Sequence, residues 1–173
     1  MNVVIKAIWG LGIAIGAIAI YSLPSYGEQK FACDEEQIST TVQSHWGELP
    51  MIRWSDDSFP PPYTPLERCR EVTARFNRFN NNGTLKYMSS GTVKNSPVIC
   101  VAGYKGGSCL PDGLLITLKY GRDPNIALKR ILDRRVWATS ESVQLSDENE
   151  DGLISEVEEK VYVDVEVLLN GKE

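Results

Sequence analysis

The sequence predicts an α+β fold: antiparallel strands with two helices in a single small disulfide-braced domain. Three observations predict it. Short β-branched runs separated by Gly and Asn recur along the chain. Two segments carry the residues that start a helix. Four cysteines, Cys33, Cys69, Cys100 and Cys109, all follow an apolar N-terminal stretch.

That stretch sets the expected compartment. Lys6 precedes an uncharged run over residues 7–20, and Ser25 and Gly27 put small residues just before Glu28. A basic start, an apolar centre and a small-residue exit are the layout of a secretory signal. The expected organisation is a signal peptide at 1–27 and one domain at 28–173, with an acidic loop at 146–159 near the C-terminus. The run falls short of the roughly 20 residues of a membrane-spanning helix. An uncleaved anchor is the alternative, because the uncharged stretch continues to Gly27. The expected location is therefore exported: periplasm, thylakoid lumen or outside the cell, with a peripheral membrane position also open.

An even cysteine count in an exported chain reads as disulfides, and four cysteines allow three pairings. Cys100–Cys109 with Cys33–Cys69 is preferred, because the segment between Cys100 and Cys109 holds Gly103, Gly106 and Gly107 and suits a hairpin turn. Zinc is a poor alternative, since there is one histidine and no Cys-x-x-Cys pair. The net charge of −5 becomes more negative when Lys6 leaves with the signal. An acidic chain repels phosphate backbones, which argues against nucleic acid as a partner.

The elements follow in order. Residues 31–42 read as an extended segment, and 49–54 as a second short strand. Pro60-Pro61-Pro62 demands an extended connection. Thr64-Pro65-Leu66-Glu67 is a capping box with Pro at the first helical position. Leu66, Cys69, Val72, Phe76 and Phe79 then form one helical stripe, and Asn82-Gly83 ends it. Strands are expected at 84–88, 97–102 and 114–120. Asp123-Pro124 caps a second helix with Ile126, Leu128 and Ile131 on its apolar side. Residues 161–168 alternate as a strand, with a helix as the alternative.

Several of these pieces recur together in one family. They are Phe31-Ala32-Cys33, Trp54-Ser55, Arg68-Cys69 with Val72 and Arg75-Phe76, Pro97-Val98-Ile99-Cys100, Gly106-Gly107-Ser108-Cys109 and Asp123-Pro124. In this order the chain resembles the cyanobacterial circadian oscillating polypeptide family over residues 31–137. The resemblance implies an exported or peripherally membrane-associated protein and brings no catalytic residues with it.

The acidic loop stands on its own chemistry. Asp147, Asn149 and Asp151 occupy positions one, three and five of the twelve-residue calcium template, and Gly152 supplies the turn at six. Leu153 offers its carbonyl, Ser155 a water-mediated contact and Glu158 the bidentate carboxylate. The candidate cofactor is thus Ca2+. Against it, the flanking segments alternate like strands and there is one loop where such loops work in pairs.

His45 is the sole histidine, and no nucleophile or orienting partner is evident in its neighbourhood of sequence. Ser108 is not in a nucleophile-elbow motif. Trp46, Trp54, Phe59 and Tyr63 around the prolines form a second binding candidate, with core packing as the ordinary explanation. Arg68, Arg75 and Arg78 share a helix face that suits an anionic surface, although Glu71 four residues before Arg75 suits plain solvation. The expected function is an exported non-enzymatic binding or structural protein, with calcium and an unknown protein or membrane surface as partners. The alternative is a small exported hydrolase-like enzyme with an unrecognised site, for which a pocket of convergent polar groups around His45 would be the discriminating observation.

Overall fold

The structure is a computed structural model that describes residues 29–132 and 152–171. The expected signal at 1–27 and residues 146–151 of the expected acidic loop lie outside the described residues. The remainder forms two antiparallel sheets, three helices and two disulfides in one small α+β domain.

The first sheet is a meander of β1 (Phe31–Asp34), β2 (Ser39–Ser44) and β3 (Gly47–Arg53). The sequence suggested one strand over 31–42, and the structure corrects this to two. The cause is Asp34, whose Oδ1 accepts from the backbone N–H of Glu36 and of Gln37 at 3.0 and 3.1 Å. That side-chain turn reverses the chain before Ile38, which takes φ 48°.

Helix α1 (Pro65–Asn81) begins at the expected cap, with Thr64 Oγ1 accepting from Glu67 N at 3.2 Å, while the reciprocal half of the box is replaced: Thr64 N donates to Pro62 O and Glu67 pairs with Arg70. Cys69, Val72, Thr73, Phe76 and Phe79 are its buried face. The helix lies against β1 and β2 of the first sheet and against β6 of the second. Phe76 stacks on Phe31 with ring centroids 4.8 Å apart, and the Cys33–Cys69 disulfide fixes the helix to β1. Asn77 closes the open edge of β1, accepting from Phe31 N and donating to Phe31 O.

The second sheet contains β4 (Tyr87–Val93), β5 (Ser96–Ala102), β6 (Cys109–Thr117), β7 (Ile154–Val157) and β8 (Lys160–Asp164), in the order β6-β5-β4-β8-β7. Two-residue turns with positive φ, at Lys94-Asn95 and Glu158-Glu159, close the β4–β5 and β7–β8 hairpins. Residues 84–86, expected in a strand, instead finish the α1 exit: Thr84 bonds Asn82 Oδ1 through both its N–H and its hydroxyl. The 161–168 segment is neither all strand nor all helix. Asp164 ends β8 and caps a third helix, α3 (Val165–Asn170), by accepting from Glu166 N and Val167 N.

Helix α2 (Pro124–Ile131) packs on β4, β5 and β8. Asn125 ties it down. Its Oδ1 accepts from Ser90 Oγ and from Val161 N at 2.5 and 2.9 Å, and its Nδ2 donates to Glu159 O at 2.8 Å. One side chain thus holds α2, β4 and the β7–β8 turn together.

The preferred disulfide pairing is the one formed, Cys33–Cys69 and Cys100–Cys109, with sequence separations of 36 and 9. In the chain-entropy picture these loops stabilise by about 4 and about 2–3 kcal/mol. The Cys100–Cys109 bridge passes over Gly91 of β4, where an added Cβ would stand 2.5 Å from Cys109 Sγ. The sulfur and a methyl group cannot share that space. Gly91→Ala is therefore expected to lower stability by about 1–3 kcal/mol in denaturant unfolding. The same change in a Cys100→Ala/Cys109→Ala background, where the bridge is gone, is expected to cost less than half as much.

Candidate functional site

A groove of about 580 Å³ opens where the two sheets meet. One wall is the end of β3 with the proline loop, carrying Arg53, Trp54, Asp56 and Phe59. The other is the end of β6 with the turn into α2, carrying Ile116, Leu118, Lys119 and Arg122. Arg68 enters from α1, while Ile126, Arg130 and Ile131 enter from α2.

Each wall has a local cause. Trp54 is 6% exposed and its indole N–H donates to Thr40 Oγ1 at 3.0 Å. Thr40 Oγ1 lies 3.2 Å from Thr73 Oγ1 on α1. This buried chain of polar contacts leaves the indole no freedom to leave the base of the groove. On the opposite wall, Gly121 takes φ 77° in the turn, and Asp123 caps α2 by accepting from Asn125 N and Ile126 N.

Arg68 lies against both aromatic rings, its Cζ 3.8 Å from the Phe59 centroid and 4.7 Å from that of Trp54. Burial pushes its pKa down, and the charge of Asp56 opposes this. Asp56 links the walls. Its carboxylate accepts from the hydroxyl and the N–H of Ser58 and pairs with Lys119 Nζ at 3.2 Å. These bonds, those of Ser58 foremost, bring the Asp56 pKa down to about 2.

Five cationic side chains face two carboxylates here: Arg53, Arg68, Lys119, Arg122 and Arg130 against Asp56 and Asp123. Asp56 and Asp123 are committed to Ser58 with Lys119 and to the helix cap. Arg53, Arg68, Arg122 and Arg130 make no ion pair among the described residues. The groove is thus a positive, apolar-floored recess on a chain whose net charge is −5.

The sequence-predicted residues fall in different places. Trp54, Phe59 and Arg68 come together in the groove. Tyr63 is exposed in the loop before α1, and Trp46 sits in the β2–β3 turn with its ring 3.5 Å from that of His45. Arg75 and Arg78 do not continue the Arg68 surface. Arg75 donates to Leu115 O and pairs with Glu71, while Arg78 lies over Phe79. His45 is exposed, no hydrogen bond orients it among the described residues, and its ring faces Gly171. It lines neither this groove nor the smaller depression of about 280 Å³ on the first sheet.

Of the candidate calcium ligands, Asp147, Asn149 and Asp151 lie outside the described residues. Leu153 is buried and its carbonyl accepts from Asp164 N. Ser155 belongs to β7, and Glu158 takes φ 48° in the hairpin turn beyond it. Extended backbone rises about 3.3 Å per residue, so Glu158 lies roughly 10 Å along from Ser155, where a helical exit would rise about 5 Å.

Lys119, Arg122 and Arg130 were not singled out from sequence. Their signal is the run of basic residues on both sides of the Asp123-Pro124 helix start.

Fold and groove together define a class: a small disulfide-braced α+β domain with a cationic recess between its sheets. Both cysteine pairs closed as disulfides mark an oxidising compartment outside the cytoplasm. Among the described residues no helix is long and apolar enough to cross a membrane. Residues 30–170 match the family model described as circadian oscillating protein COP23, and the chain belongs to that family. No curated protein and no solved structure matches the chain.

The Asp56 interactions give a signed prediction. A carboxyl whose folded pKa lies below its ordinary 3.8 stabilises the fold above that value and loses the contribution as pH falls through about 2. In an NMR titration the Asp56 carboxyl is expected to titrate near 2, and Ser58→Ala is expected to move it up toward 3.8.

Proposed function

We propose that this chain is an exported, non-enzymatic binding protein, and that the groove between its sheets is the ligand-facing surface. The observation that carries the reading is the excess of cations, four of them outside any ion pair among the described residues, over an apolar floor. A concentration of one sign of charge beside accessible apolar surface suits recognition of an oppositely charged ligand with an apolar body. The pattern of acids and bases supports binding over catalysis. Asp56 stays ionised at neutral pH and so holds no proton to donate, and Asp123 is spent on a helix cap. His45 is exposed and outside the groove.

The test is native mass spectrometry of the protein isolated from its own compartment. It is expected to carry an added mass that denaturation releases chemically unchanged. Ala127→Trp, whose indole fills the recess, and Ile126→Glu, which puts a carboxylate on its rim, are each expected to lose that mass. A ligand converted on incubation, with conversion abolished by His45→Ala, would favour the hydrolase-like alternative.

Calcium at the acidic loop is a second reading, supported by the template match at Asp147, Asn149 and Asp151 and weakened by the extended backbone that follows. Glu158, the twelfth position of the template, stands in the β7–β8 turn and not on a helical exit. Calorimetric titration is expected to give at most weak affinity, Kd about 10⁻⁴–10⁻³ M. Glu158→Gln is expected to lose that affinity, and calcium binding that survives the change would take Glu158 out of the ligand set.

A further inference from the structure

Arg68 is the residue in the groove whose chemistry is least complete. It is half-buried, and its guanidinium lies against the Trp54 and Phe59 rings. Among the described residues no acceptor takes a hydrogen bond from its N–H groups, yet none of its nitrogens is sealed from solvent. Those N–H groups therefore reach solvent, and Arg68 is one of the residues that line the groove. A guanidinium packed on rings keeps its in-plane edge for hydrogen bonding, and that edge matches a planar carboxylate.

The rest of the recess continues the pattern. Arg122 and Arg130 are exposed, unpaired cations on the α2 side. Ile126, 51% exposed, and Ile131 supply apolar surface beside them, and Trp54 and Ile116 supply the floor. Its volume of about 580 Å³ falls in the range of small-ligand sites, about 300–1,000 Å³.

Resting on the reading that this groove is the binding surface, we propose that its ligand is a small amphiphilic carboxylate. The acid group sits on the Arg68 edge within reach of Arg122 and Arg130, and the apolar body lies on Trp54, Ile126 and Ile131. An uncharged apolar ligand would strip water from three guanidinium groups and give nothing in return. A cationic one would meet like charge. An anion with an apolar body answers both halves of the lining. No bond is made or broken.

The experiment is calorimetric titration of the purified protein with three probes of one chain length: octanoate, 1-octanol and octylammonium, each below its aggregation limit. Octanoate is expected to bind saturably and octylammonium to give no heat. Arg122→Gln and Arg130→Gln, both at exposed positions without ion pairs, are each expected to weaken octanoate roughly threefold to fivefold, and together about tenfold or more. Arg68→Gln is expected to weaken it by at least tenfold, and the two α2-side variants keep the test decisive if that protein fails to fold. Octanol binding as tightly as octanoate, with Ile126→Glu abolishing both, would overturn the carboxylate class and leave the groove standing. Octanoate binding unchanged by all three arginine variants would overturn the proposal outright. Response to a polyglutamate peptide but not to octanoate would also overturn it, in favour of a protein partner at the same groove. Failure of every probe, while native mass spectrometry still shows a ligand lost with Ala127→Trp, would refute the carboxylate and spare the groove.

Discussion

The burial of α1 is the constraint on which the rest of the molecule depends. Neither sheet forms a core alone, and α1 is laid across the place where they meet. Phe76 and Cys69, both fully buried, face the first sheet through the Phe31 stack and the Cys33 bridge. On the other side Arg75 reaches the backbone of β6 at Leu115. The helix therefore contributes packing, a covalent link and a polar link between two sheets that share no strand pairing. A small exported domain with a limited apolar interior gains its stability in this way, by adding cross-links to packing.

The groove is a by-product of that joint. Because α1 holds the sheets together without merging them, the end of β3 and the end of β6 stand as facing walls with Arg68 rising between them. The Trp54–Thr40–Thr73 contacts belong equally to the core and to the groove floor. Stability and site are not separable at Trp54, whereas at Arg122 and Arg130 they are. The inner part of the recess is fixed by folding and the outer part by exposed charge.

Much of the fold was legible because local chemistry dictated it. The Thr64 cap, the Asp123-Pro124 start and the Asn82-Gly83 stop act within a few residues, and the structure follows them. The disulfide pairing was legible for a similar reason, since a glycine-bearing segment closes easily on itself. The errors came where a short polar side chain rules over a longer pattern. Asp34 breaks an apparently continuous strand, and Asp164 converts the end of an alternating run into a helix. Periodicity counts apolar residues and does not see a carboxylate that captures two backbone N–H groups. The groove was legible only in part. Trp54 and Phe59 stood in one sequence candidate and Arg68 in another, while Arg122 and Arg130 reach the groove through sheet topology, which no spacing rule reports.

The walls of the recess differ from the core in one further respect. The segment from Ser55 to Thr64 and the turn from Lys119 to Asp123 connect elements without joining a ladder. Surface connections of this kind lengthen and shorten over evolutionary time far more readily than the strands they link. The width of the opening, and with it the size of the molecule it admits, is therefore a heritable variable that can drift between related chains while the disulfides, α1 and both sheets stay as they are. Diversification of such a domain would be written in loop length first and in the interior last.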